Sequence, residues 1–402
     1  MYLRKRKQLT ALLAAACIAL SATGCANDNA ASSGTRDAEV ISETSTASAE
    51  TQSPESGSAP DVSADTITII DHAGNEVTLP REIHRIAVGN IYPLPSVLSV
   101  FFDSAEKIVA MPQQSMTAAK NSLLGELYPE ILYADTGFID GTSINLEELI
   151  ALDPDVVFYS ADSTENTEAL MNSGIPAVAV SASKWDYDAV ETLHNWIALL
   201  GQIFPENEKS ALCDEYSLKM QDLINERTAN LTEEQRKNVF FLFQYSDANI
   251  TTSGKHFFGQ FWANAIGAKN VGAEMENKNS AAVSMEQIYA WNPDIIFVTN
   301  YTTATPADLY ENKIGNYDWS AVNAVKNQRV YKMPLGMYRS YTAGIDTPVT
   351  LLWLAKAAYP DLFEDIDITA ETQKYYKDIF GIELTAEQAN QIFAPSADAS
   401  AY

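Results

Sequence analysis

Cysteine is the first scarcity: the 402 residues hold three. Cys17 lies inside an apolar leader and Cys25 at its end, so Cys213 is the only thiol left in the body and no internal disulfide is open to it. Cys213 follows Leu212 in a helical pattern and reads as a small buried hydrophobe. Histidine is nearly as rare. His72, His84, His194 and His256 fall in a hairpin turn, ahead of a strand, on a helix and in a loop, with no metal-ligand spacing among them. Clusters of Lys and Arg are absent beyond the leader, and a formal charge of -27 argues against nucleic acid or anionic lipid as a partner. No Gly-x-Ser-x-Gly elbow, Walker A loop or His-Glu-x-x-His occurs. Thr252-Ser-Gly-Lys255 lacks the upstream glycine and following hydroxyl of a phosphate loop. With no nucleophile and base to pair, an enzyme is not expected.

The apolar run Leu9–Leu20 is shorter than the roughly 20 residues a bilayer needs. Preceded by Arg4-Lys-Arg-Lys7 and followed by Ala22-Thr-Gly-Cys25, it has the layout of a secretory signal ending in a lipoprotein cleavage site. Residues 1–24 are therefore expected to be removed and Cys25 to carry lipid, palmitate included. Residues 25–65 are rich in Ser, Ala, Thr and acid, too poor in apolar surface to offset their ordering entropy, and read as a tether. This layout predicts display on the outer face of the cell membrane, held there by the lipid anchor alone.

What the chain does have is one unit written twice. Leu146-Glu-Glu-Leu-Ile-Ala-Leu-Asp-Pro-Asp-Val-Val-Phe-Tyr159 returns as Met285-Glu-Gln-Ile-Tyr-Ala-Trp-Asn-Pro-Asp-Ile-Ile-Phe-Val298, without a gap. In each copy an amphipathic helix stops at Pro154 or Pro293, and Asp155 or Asp294 leads into a run that suits a buried parallel strand. The spacing of the copies suits a domain-scale duplication rather than a solenoid. The expected organisation is an α/β lobe over 66–204, a long helix from Pro205 within 205–235, a second α/β lobe over 236–394 and a frayed tail over 395–402. Thr66–Ile70 and Glu76–Leu79 predict a hairpin that turns at Gly74-Asn75.

The stretch Ile67-Thr-Ile-Ile-Asp-His-Ala-Gly-Asn-Glu-Val-Thr-Leu-Pro80 with Arg85-Ile86 resembles the opening of the substrate-binding lipoproteins of ABC importers for iron siderophores, haem and cobalamin. Both copies of the repeat, Trp319-Ser-Ala-Val322, Arg329-Val-Tyr331 and Trp353-Leu-Ala-Lys356 with Tyr359-Pro360 resemble that family too, in the right order. The resemblance implies two Rossmann-like lobes joined by a single helix, a ligand cleft between them, small closure, and a monomer that works with permease and ATPase subunits. It implies a metal chelate as ligand, a ferric siderophore foremost, with haem, cobalamin or a nickel chelate as alternatives. A lipoprotein that senses ligand without transport is a further alternative. The family's fold is shared with cluster-binding nitrogenase subunits, but those use cysteines that this chain lacks.

Ligands of open α/β sheets sit outside the carboxyl ends of the strands. The loops expected there offer Tyr92, Gln113 and Phe138 from the first lobe and Tyr245, Tyr301, Tyr338, Arg339 and Tyr341 from the second. Aromatic faces suit an aryl-rich chelate, and Arg339 suits an anionic one. His256 is a candidate axial ligand should the cargo be haem. Helices that feed parallel strands begin on the cleft side, which sets Glu147 and Glu286 as paired carboxylates. In the resembling family one acid per lobe meets arginines of the permease. The same residues would serve as first-turn acids of their helices.

Overall fold

The computed structural model describes residues 65–207, 210–277 and 279–400. The leader, Cys25 and the tether lie outside the described residues, as does the side chain of Cys213. The hairpin comes first, β1 (Thr66–Ile70) against β2 (Glu76–Pro80), with Ile70 opposite Glu76. Its turn is folded around Asp71, whose carboxylate accepts from the amides of Ala73 at 2.9 Å and Asn75 at 2.8 Å, while Gly74 takes the positive φ of 89°. Asp71 also accepts from the Ala179 amide at 3.1 Å, which ties the hairpin to the first sheet.

The chain then alternates through β3 (Ile86–Val88), α1 (Leu94–Phe102), β4 (Ile108–Ala110), α2 (Gln113–Lys120) and α3 (Leu123–Leu127). After the small hairpin β5 (Ile139–Asp140) and β6 (Ser143–Ile144) come α4 (Leu146–Ala151), β7 (Val156–Ser160), α5 (Thr164–Met171), β8 (Ala177–Val180) and α6 (Ala189–Ile203). Strands β4-β3-β7-β8 form a wholly parallel sheet in that order.

Helix α7 (Ser210–Thr228) carries the chain onward. The helix was expected from Pro205. Instead Asn207 closes a turn there, its amide bonded to the Phe204 carbonyl at 3.1 Å and its side chain to the Phe101 carbonyl. Beyond α7 lie β9 (Asn238–Tyr245), β10 (Ile250–Ser253), α8 (Phe258–Ala265), β11 (Lys269–Asn270), β12 (Ser280–Val283), α9 (Met285–Trp291) and β13 (Ile295–Val298). Helices α10 (Pro306–Tyr310) and α11 (Asn323–Lys326), strand β14 (Val330–Lys332), and helices α12 (Thr347–Ala358), α13 (Ile368–Phe380) and α14 (Ala386–Phe393) complete the order. The second sheet runs β12-β10-β9-β13-β14, with β11 also on β9. Strands β9, β11, β13 and β14 are parallel, and β10 runs antiparallel to both of its neighbours, β9 and β12. Consecutive residues Val239, Phe240, Phe241 and Leu242 are all fully buried, as a central strand covered on both faces requires.

The repeat has a local mechanical reason. Asp153 and Asn292 end α4 and α9 in the left-handed conformation, φ 46° and 40°, and proline follows. Asp155 then accepts from the amides of His84 at 2.7 Å and Arg85 at 2.8 Å. Asp294 accepts from the Asn238 amide at 3.0 Å and the Asn323 side chain at 2.9 Å. Each aspartate thus clamps its own strand to the start of the sheet's neighbouring strand, β3 or β9. Charge-assisted bonds of this kind contribute about 1.5–3 kcal/mol each.

Candidate ligand cleft

The carboxyl ends of the parallel strands in both sheets carry the loops that face one another. Contact between them is direct: the Leu123 amide donates to the Gly336 carbonyl at 3.1 Å, and Gln388 on α14 donates to Glu126 on α3 at 2.7 Å. On the first wall Tyr92 follows β3 and is half-buried, with its carbonyl accepting from Ser115 at 2.7 Å. Gln113 opens α2, is exposed, and accepts from the Thr136 hydroxyl at 3.0 Å, so it joins two of the cleft loops.

The second wall is built on the loop after β14. Arg339 is 1% exposed, its guanidinium 5.0 Å above the Tyr301 ring and 5.9 Å from that of Tyr338. Tyr301 is in turn stacked on Phe243 at 5.0 Å. The Arg339 loop is held from behind by Asp346, whose carboxylate accepts from the Met337 amide at 2.7 Å and from the Tyr376 hydroxyl. Burial raises the Asp346 carboxyl to about 6, against the pull of those donors.

Lys332, at the end of β14, donates to the carbonyls of Thr299, Thr302 and Ala304 at 2.8, 2.6 and 2.9 Å and so folds the loop that presents Tyr301. Desolvation, followed by the nearby Arg339 charge, brings its ammonium down to about 7. In the same loops Asn300 Oδ1 and Ser340 Oγ are buried without a hydrogen-bond partner. Lys332 is thus occupied with three carbonyls, and the Arg339 guanidinium above the Tyr301 ring, with the Ser340 hydroxyl next to it in the chain, is the group suited to an anion.

Three of the expected ligand residues are placed elsewhere. Phe138 is fully buried among Ala87, Ile144, Leu149 and Val157, because the β5–β6 hairpin turns its ring into the first lobe's core. Tyr245 lies on the far face of β9, where its hydroxyl donates to the Ile314 carbonyl and accepts from Trp319 Nε1, both at 2.9 Å. Tyr341 is fully buried at the centre of Phe241, Phe243, Phe257 and Phe258, with its hydroxyl accepting from the Gly259 amide at 3.1 Å. Burial pushes that phenol up, so it stays neutral. His256 has both ring nitrogens facing carboxylates, Asp186 at 3.1 Å and Glu276 at 3.4 Å, which leaves none directed at a haem. No group of three or more His, Cys, Asp or Glu converges as a metal site among the described residues.

Glu147 and Glu286 are both exposed in the first turns of their helices, behind the caps Asn145 and Ser284. Bonds to its own amide and to Ser284 hold the Glu286 carboxyl below its ordinary value. One turn further on, at matching places in the repeat, Ile150 and Tyr289 are 53% and 40% exposed.

Sequence reasoning did not single out Lys332, Asn300 and Ser340. The signal was present, since Lys332 and Asn300 stand at strand carboxyl ends, where the rule that picked the loops also applies.

The molybdate-binding protein MolA of Haemophilus influenzae is 26% identical over 335 residues, 78% of this chain and 90% of its own. An ABC transporter substrate-binding lipoprotein of Bacillus subtilis, YvrC, is 25% identical over 74% of this chain and 87% of its own, and that organism's Fe(3+)-citrate-binding protein YfmC is 24% identical over 48% and 59%. Among solved structures, a periplasmic solute binding protein from Veillonella parvula superposes with a TM-score of 0.72 at 28% identity, covering 82% of this chain and 97% of that one. MolA bound to molybdate superposes with a TM-score of 0.67 at 22% identity, covering 79% and 99%. These neighbours share the two-lobe α/β fold. The periplasmic binding protein family model matches residues 103–335, more than half of the chain, and the chain belongs to that family, the extracytoplasmic substrate-binding class of ABC importers.

Proposed function

We propose that this protein captures an anionic metal chelate, a ferric siderophore or a ferric citrate-type complex, and presents it to an ABC permease and its ATPase. The observation that carries the reading is the buried Arg339 guanidinium 5.0 Å above the Tyr301 ring. The ligand set is Tyr92 and Gln113 from the first wall and Tyr301, Tyr338 and Arg339 from the second. The two sheets act as lobes about α7, with a modest rocking on capture. Glu147 and Glu286 dock the permease, and lipidated Cys25 holds the protein at the outer face of the membrane. No helix among the described residues is long and apolar enough to cross a membrane.

A second reading, a bare oxyanion, is favoured by the match with the molybdate-binding MolA across 90% of that protein's length. Calorimetric and tryptophan-fluorescence titrations with ferric citrate, ferric catecholate and hydroxamate siderophores, molybdate, haem, cobalamin and nickel–histidine separate the two. Saturable binding of a ferric chelate supports the first reading, and binding of molybdate alone replaces it with the second. Binding of cobalamin alone, a cargo for which the Arg339 guanidinium has no use, refutes both.

A further inference from the structure

The composition of residues 395–402 predicts a frayed end, yet its described part is folded into the cleft. Trp353 stacks on Phe393 at 6.5 Å and the Leu335 amide donates to the Ile392 carbonyl at 2.8 Å, which fixes the end of α14 beside the Arg339 loop. Pro395 stops the helix, and Ala397–Ser400 forms a turn closed by the Ala399 amide on the Ser396 carbonyl at 3.3 Å. Ala399 and Ser400 are 0% and 1% exposed. The turn packs on α2 of the first wall, and Arg339 Nη2 of the second wall donates to the Ala399 carbonyl at 3.0 Å. Ser400 Oγ is buried there without a hydrogen-bond partner, as are Asn300 Oδ1 and Ser340 Oγ. A short main-chain segment therefore touches both walls and takes a donor from the one cation best placed for an anionic cargo.

We propose that the C-terminal segment Pro395–Ser400 is an intramolecular plug, a competitor that occupies the cargo site of the empty protein and must leave for cargo to bind. The inference rests on the cleft being the binding site. A carbonyl is a weaker partner for a guanidinium than a carboxylate or oxyanion, so the bond from Arg339 Nη2 to Ala399 is displaceable by charge. Tethered a few residues from its site, it acts at an effective concentration on the order of millimolar and lowers apparent cargo affinity by the fraction of molecules in which the site is open. The device would make capture selective, because only ligands that repay the displaced contacts compete.

The test compares three proteins: the intact mature chain, a chain ending at Ala394, and full-length Ala399→Lys, in which a second cation beside Arg339 expels the turn. Thermal melts check that all three are folded, and the point variant covers the case in which truncation fails to fold. The first readout, independent of cargo, is the rate at which phenylglyoxal modifies Arg339, followed by peptide mass spectrometry. The second is the affinity for molybdate and for ferric citrate. The expected result is Arg339 modification faster by about tenfold or more in both variants, and probe affinity about tenfold tighter. Equal modification rates in all three proteins overturn the plug. Weaker probe binding in both variants also overturns it, since the segment would then be a wall of the site. Faster modification with neither probe bound by any of the three supports occlusion and counts against the cargo reading alone.

Discussion

Replacing Gly336 by alanine tests how the Arg339 loop is held. A Cβ at this position would stand 2.1 Å from Asp346 Oδ1, 2.4 Å from its Cγ and 2.6 Å from Oδ2, where 3.4 Å begins ordinary contact. The carboxylate would have to retreat by about 1.3 Å (3.4 − 2.1). It cannot do so freely, because it is 3% exposed and bonded to the Met337 amide and the Tyr376 hydroxyl. Moving it that far breaks both bonds, each worth about 1.5–3 kcal/mol at a charged group, so the expected cost is about 3–6 kcal/mol. For a body of this size, with an unfolding entropy of about 0.7 kcal/mol/K, that corresponds to a fall in Tm of about 4–9 °C. The loop also gives the Gly336 carbonyl to Leu123 across the cleft, so cargo affinity should fall together with stability. Scanning calorimetry of Gly336→Ala, Asp346→Ala and the double variant is the assay. Because both changes strike one contact, the double variant should cost clearly less than the sum of the singles. A Tm for Gly336→Ala within about 1 °C of the parent, or strict additivity, would refute the reasoning.

Lys332 gives a pH signature: with its folded value lowered to about 7 from 10.5, the unfolded chain holds a proton between those values that the folded chain has released. Stability should therefore rise with pH from about 7 toward 10, by up to about 1.4 kcal/mol per unit before solvent screening reduces it. Urea midpoints of the parent and Lys332→Met should diverge over that window, and parallel curves would contradict the assignment. Arg339→Gln should weaken a bound anionic probe by about 10- to 100-fold while leaving uptake of any neutral cargo unaffected, as read by calorimetry. Glu147→Arg with Glu286→Arg, both exposed, should leave Tm and cargo affinity unchanged and abolish transport in reconstituted vesicles. Normal transport by that double variant would remove the docking role.

What the sequence made legible divides by physical cause. Hairpin, parallel strands and the duplicated helix–Pro–Asp–strand unit were readable because they rest on local periodicity and turn chemistry, which act within a few residues. The cleft loops were readable as segments, since strand carboxyl ends can be counted along the chain. Which side chains face the cleft was not. Tyr245 and Tyr341 sit in equivalent-looking loops with Tyr301, but Tyr245 falls on the far face of β9 and Tyr341 inside an aromatic cluster. For Tyr245 the side of the strand it falls on decides the outcome, and for Tyr341 it is the packing of rings remote in sequence; no local pattern reports either. The tail was misread for a related reason: its small polar residues look unable to order themselves, and its burial comes from two walls that are remote in sequence.

The duplication explains why framework and cargo differ so much in legibility. Asp155 and Asp294 make the same clamp in both copies, on the amides that open β3 and β9, because any α/β lobe of this build must fix a helix end to its sheet. Once that clamp is set, Glu147 with Ile150 and Glu286 with Tyr289 arrive at matching exposed positions on the two lobes. A partner that recognised the pair, as proposed, would need the clamp geometry to be equal in both, so the repeated unit would then serve fold and docking at once. The loops at the carboxyl ends carry no such shared constraint. Tyr92 and Gln113 on one wall and Tyr301 and Arg339 on the other share no pattern, as two unlike surfaces built for the proposed asymmetric ligand would not.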